Sequence, residues 1–443
     1  MTSTRKRFAS SLLAFLFLLL FSVCDAHALP AFARKYGLRC SACHEAWPML
    51  NNFGQKFKDN GYQLMNDRDA PIWQSNGYWP VTIRITPAWH RESTDKVAVD
   101  QAATGQQRVT ASGFDVGGLD LLSGGTLDKN LSFLFVLSSD ETAAFHFESV
   151  NARFDNLFGS PWLNIKVGKF ELDNIVSEKR GLTLSSSGGG FQIYHFVPLG
   201  DNNIMQIGDN QFGLEWMGHS ANDRTRLSAA LLNSSAGNVD LPQGNSSYTG
   251  FFAGSQAFEA GKLGTQKVGF YAMVGQAPTN FLTSGGPDSP IEGGGFGNKS
   301  FSRVGFNGIF YLGKLDFQVV TQHGSDSAYF ATGTASPDPL PAGARSASWN
   351  GAFVETHYVY SPQLVFIQRS EWIRMSQQAI PGTPSNAGDI DNYVVGYRFY
   401  PIMNSRAGFA IHNEYSWIRQ RGGAPDGTDL SSTSLMLGFD FDF

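Results

Sequence analysis

From Ser434 to Phe443 the chain alternates, Met436 apart, with Leu435, Leu437, Phe439, Phe441 and Phe443 set against Ser434, Gly438, Asp440 and Asp442. Period two puts each set of side chains on its own face of a β-strand, so one face suits an apolar medium and the other a polar one. The pattern recurs. Leu131, Phe133, Phe135 and Leu137 interleave with Ser132 and Ser138, Leu163, Ile165 and Val167 with Asn164 and Lys166, and Tyr393, Val395, Tyr397 and Phe399 with Gly396 and Arg398. A soluble sandwich would also alternate, so the spacing of the strands has to discriminate.

From residue 299 onward the links between strands are alternately short and long. Gly313-Lys314, Ser361 to Gln363 and Met403 to Arg406 are tight, whereas Tyr329 to Ser346, Ile380 to Asp389 and Arg421 to Ser431 are long and rich in Gly, Pro, Ser and Asp. Outer-membrane barrels have this asymmetry, with short periplasmic turns and long outer loops. Carrying the parity backward places Thr279 to Asn298, Ala236 to Ser247 and a large insertion from Leu172 to about Asn210 outside, with Glu92 to Gln107 after the first strand. The expected fold is therefore all-β, an antiparallel outer-membrane barrel of about sixteen strands with both termini in the periplasm. The composition agrees, with 49 Gly, 36 Phe and only 16% charged residues. The C-terminal Phe443 resembles the ending that serves bacterial barrels as an insertion signal.

The N-terminal part is of another kind. Arg5, Lys6 and Arg7, an apolar core from Leu12 to Phe21 and Ala26-His27-Ala28 read as a cleaved export signal over residues 1–28. Then comes Cys40-Ser41-Ala42-Cys43-His44. A C-x-x-C-H run in an exported chain is an attachment site for haem c. The two thiols on one helical turn reach the two vinyl groups, and His44 follows at once to ligate the iron. Other uses of a C-x-x-C pair each lack something: no βαβ pattern surrounds it, no second cysteine pair completes a zinc site, and a disulfide needs no adjacent histidine.

Residues 29–78 form a small, mostly helical haem-binding segment ahead of the barrel at 79–443. Pro48 suits a first helical turn, Leu50, Phe53 and Phe57 recur at helical spacing, and Asn60-Gly61 is a stop. Met65, beyond that stop, is the expected second axial ligand. Met49 is too close to His44 in sequence to cross the ring, and His90 is a later candidate.

These features together resemble the monohaem cytochrome and porin fusions of bacterial outer membranes, described as iron-oxidising cytochromes. The resemblance covers the whole mature chain, and Cys40, Cys43 and His44 match the family motif. It implies one covalent haem c, transfer of electrons across the outer membrane from extracellular Fe(II), and a periplasmic electron-carrier protein as acceptor. A second reading is a porin-like solute channel with an appended periplasmic haem domain. The net charge of −5 and the lack of a basic cluster beyond the export signal argue against nucleic acid. Other histidines, such as His146, His357 and His412, sit singly within strands and read as lumen-facing polar groups.

Overall fold

The computed structural model describes residues 31–65, 69–74, 80–100, 105–139, 144–237, 248–279, 298–336, 338–403 and 408–442. The export signal at 1–28 lies outside them. Sixteen antiparallel strands, from Val81–Ala98 to Leu430–Asp442, each pair with their neighbours in sequence, and the last pairs back onto the first to close a barrel. In the closing register Ser432 faces Thr94 and Leu437 faces Trp89. Closure leaves no free sheet edge around the ring, the condition under which strands cross a bilayer.

Alternation is realised as expected. In Leu430–Asp442 the side chains of Leu437, Phe439 and Phe441 are exposed on the outside while Ser434, Asp440 and Asp442 are buried inside. Aromatic pairs, Tyr358 with Phe366 and Tyr393 with Trp417, stack on the outer surface. A closed barrel with an apolar exterior and aromatic girdles is an outer-membrane barrel, with lipid against that exterior. Tight turns such as 313–314 and 362–363 gather at one end, and the long links 327–346, 378–389 and 421–429 at the other. One link is shorter than expected. The first strand runs to Ala98 and the second starts at Gln106, so most of 92–107 is strand.

The large insertion is where the structure overturns the expectation from parity. Residues 171–210 leave the wall at the long-link end but fold inward and fill the lumen. Leu182, Phe191, Ile193 and Met205 are almost fully buried, with the Phe191 ring 4.7 Å from that of Phe353. The cause lies in the wall. Arg369 donates to the carbonyls of Gly188, Gly189 and Gly190 at 2.5, 2.7 and 2.9 Å. Arg398 Nε donates to Leu182 O at 2.9 Å. Glu414 accepts from the backbone amides of Leu184 and Ser185 at 2.7 and 3.0 Å, and Glu371 accepts from that of Ile193 at 2.6 Å. Charges pointing into a closed wall need partners, and the insertion's backbone supplies them.

The parity of the remaining links gives a direct test. An epitope inserted near Gly382, in the 378–389 link, is expected to bind antibody on intact cells, and one at Gly313-Lys314 only after the outer membrane is opened; the opposite labelling would invert the barrel.

Candidate functional site

The N-terminal segment enters the barrel from the short-turn end and seats there as a plug. Its first helix, Ala31–Tyr36, is tied to the wall by Ala31 N to Thr82 Oγ1 at 3.1 Å and Lys35 Nζ to Thr126 Oγ1 at 3.0 Å. Cys40–Cys43 forms one helical turn. A two-strand hairpin, His44–Ala46 with Met49–Leu50, follows, and then the helix Asn52–Asp59. Pro48 thus lies in the hairpin turn instead of opening a helix, because Asn51 is the N-cap. The stop falls where expected, at Asn60 with Gly61 at φ +70°. Phe57 does not wait for an outside partner. It packs against Tyr36 at 5.4 Å and Phe32 at 5.3 Å, so the plug has a small aromatic core of its own.

The cysteine turn and the helix are held together by one side chain and one missing side chain. Asn51 accepts from Gly54 N at 2.9 Å, and its amide donates to Ala42 O at 3.0 Å and Ser41 O at 3.5 Å. Its backbone N–H donates to Cys43 O at 2.9 Å. A Cβ on Gly54 would stand 2.1 Å from that same Cys43 oxygen, so only glycine lets the helix approach. Neither residue stood out as functional in the sequence, although an Asn just before an amphipathic run is a recognisable cap signal.

Cys40 and Cys43 are joined in no disulfide. Burial raises them, Cys40 to about 12 with help from the Asp442 charge and Cys43 to about 11. They are protonated thiols, the state from which thioethers form. His44 Nδ1 lies 3.1 Å from Pro48 O. A carbonyl only accepts, so Nδ1 carries the proton and Nε2 keeps its lone pair. Burial lowers His44 to about 4, which keeps that lone pair free at neutral pH. A metal-binding histidine is characteristically oriented by just such a carbonyl. The donor set therefore fits a c-type haem: two thiols on one turn, one neutral oriented imidazole, and a glycine cradle behind them.

Met65 stands after this core with φ 60° and is 59% exposed. His90 belongs to the barrel wall, with Nε2 3.3 Å from Asp115. His357 and His412 are fully buried lumen groups, His357 lying between Asp316 at 2.6 Å and Glu355 at 2.8 Å.

The plug is fastened where it meets the insertion. Arg153 donates to the helix-end carbonyls of Lys58 and Asp59 at 2.7 and 3.1 Å. Arg226 bridges Asp59 of the plug and Asp173 of the insertion, both at 2.8 Å, and Lys58 pairs with Glu171 at 2.9 Å. Near the cysteines, Tyr400 Oη donates to Trp47 O at 2.7 Å and Cys40 shares a small cleft with Met403 and Phe409.

No protein-family model matches the sequence, and no curated protein matches it either. Solved structures do. The chain is similar to the outer membrane channel DcaP of Acinetobacter baumannii, with a TM-score of 0.53 and 10% identity over 82% of this chain and 97% of that one. It is also similar to an anion-selective porin from Comamonas acidovorans, with a TM-score of 0.50 and 10% identity over 82% of this chain and 99% of that one. At this identity the likeness establishes the porin-like barrel fold.

Two variants test the geometry of the turn. Gly54→Ala must displace Cys43 and is expected to cut the yield of haem-stained protein on a denaturing gel severalfold. Asn51→Ala removes a cap worth about 1 kcal/mol and is expected to lower it less. Full haem staining in both would mean that the helix does not position the cysteine turn.

Proposed function

We propose that this chain is a porin-like outer-membrane barrel whose periplasmic mouth carries one haem c, joined to Cys40 and Cys43 and ligated by His44, and that it exchanges electrons there with a periplasmic electron-carrier protein. The observation that carries the reading is the position of the C-x-x-C-H turn, on a plug fixed inside the short-turn end of the barrel. Haem bound there supplies one-electron chemistry. The chain supplies orientation through Pro48 O and Asn51, and its aromatic core and wall contacts hold the attachment turn rigid. Met65, exposed on the same segment, is proposed as the residue whose thioether sulfur would be the second ligand to the iron.

Distance separates this reading from transfer across the membrane. The strand Ala347–Ser361 has 15 residues. At about 3.3 Å per residue and a tilt of about 40° it spans about 38 Å. Tunnelling falls off steeply with distance, so one haem at the mouth serves the periplasm far better than the outer loops. The filled lumen favours the other reading, a sealed sleeve that passes electrons from extracellular Fe(II). Arg369 and Arg398 are fully buried, whereas the wall charges of an open pore are wetted.

Proteoliposomes with the plug facing inward, holding a redox dye and bathed in ferrous iron, distinguish the two. The proposal expects no dye reduction by external iron and, in vesicles whose haem has first been reduced with dithionite, prompt reoxidation by an oxidant held inside. Dye reduction without sugar leakage would replace it with the transmembrane conduit. Replacing both Cys40 and Cys43 with Ser is expected to abolish haem retention on a denaturing gel, and retained stain would refute the attachment. For the axial ligand, Met65→Ala is expected to remove the sulfur-to-iron charge-transfer band, with Met49→Ala leaving it intact; an unchanged spectrum in Met65→Ala rules that ligand out.

A further inference from the structure

On the side of the plug helix away from Gly54 lies a cavity of about 680 Å³. It is bounded by Asn52, Lys56 and Asp59 of the helix, by Ile175 and Arg180 of the insertion, and by the barrel wall, and it reaches the short-turn end at Asn222–Arg224. Its size falls within the range of small-molecule sites, which combine an apolar lining with a few convergent polar groups. Met49, Leu50, Phe53, Ile175 and Ile309 provide the apolar part.

The charges define the ligand. Lys56 pairs with Asp223 at 2.6 Å, Arg226 with Asp59 at 2.8 Å, and Arg224 with Glu259 at 3.7 Å. Arg180 is held by Glu171 at 3.0 Å and by Gln55 Oε1 at 2.9 Å. Lys267 also lines the cavity, and among the described residues it has no ion pair. The charges of Glu45 and Asp59 act on it from the plug, but Glu45 is engaged by Tyr311 and Asp59 by Arg226. A largely enclosed ammonium beside an apolar surface is costly without a counter-charge. An anion with an apolar body satisfies both.

We propose that this cavity binds a small organic monocarboxylate, entering from the periplasmic side, with its carboxylate on Lys267 and its apolar body between Phe53 and Ile309. The plug helix lies between the cavity and the Cys43 carbonyl that its Gly54 approaches. The site gives the barrel a ligand on the plug's wall-facing side.

The test is calorimetric titration of the haem-loaded protein, in dodecyl maltoside, with benzoate as probe and benzyl alcohol as its neutral analogue. One benzoate per chain is expected, with the alcohol and the Lys267→Met variant each weaker by about tenfold or more, as the loss of a charged hydrogen bond dictates. Lys267→Arg keeps the charge and is expected to keep binding. Ile309→Trp fills the cavity and is expected to abolish binding while the haem spectrum is unchanged. Absence of saturable benzoate binding, equal binding of the alcohol, or unchanged affinity in both Lys267→Met and Ile309→Trp would overturn the proposal.

Discussion

The interior of this barrel depends on buried charges of the wall finding partners in segments that are not part of the wall. Arg369, Arg398, Glu371 and Glu414 are buried side chains on strands, and each is answered by backbone groups of the 171–210 insertion or the plug. Arg398 serves both at once, reaching Leu182 O of the insertion and Trp47 O of the plug. Arg369 also lies 3.1 Å from Glu355, so removing the guanidinium leaves that carboxylate uncompensated in a dry site, at a cost of about 3–5 kcal/mol. The lumen is therefore filled because its wall is charged, and an apolar wall would give the insertion no such anchor.

That arrangement brings two segments of opposite origin together. The plug enters from the short-turn end and the insertion from the long-link end, and they meet at Arg226, which holds Asp59 and Asp173. The Cys40–His44 turn is thereby fixed to the barrel on three sides, by the aromatic core around Phe57, by the Trp47 contacts, and by the charge cluster at the helix end. Rigid mounting suits electron transfer, which needs a fixed distance and little reorganisation. It also explains why so short a segment, with few apolar residues of its own, is ordered at all: the wall completes its core.

Much of the wall was legible in the sequence. Period-two runs such as Leu435 to Phe443 fix which face meets lipid, and the alternation of link lengths gave the sixteen strands and their direction. The insertion was not legible. Gly188-Gly189-Gly190 reads as solvent-exposed loop, and the partner that draws it inward, Arg369, lies some 180 residues later in sequence. Nothing local marks that pairing. The helix start differs for a local reason: Pro48 is acceptable in a first turn, but Asn51 caps the helix with its own side chain. The motif Cys40, Cys43 and His44 was visible at once, whereas Gly54, which decides how closely the helix approaches that turn, is one glycine among 49.

The central claim is that haem sits on the plug at the periplasmic mouth of a filled barrel. Outer-membrane vesicles of defined orientation, given a membrane-impermeant reductant while the haem spectrum is followed, test it most directly. Prompt reduction from the periplasmic face and little from the outer face is the predicted result. A protein that binds no haem, or whose haem is reduced as fast from the outer face as from the periplasmic one, would contradict it.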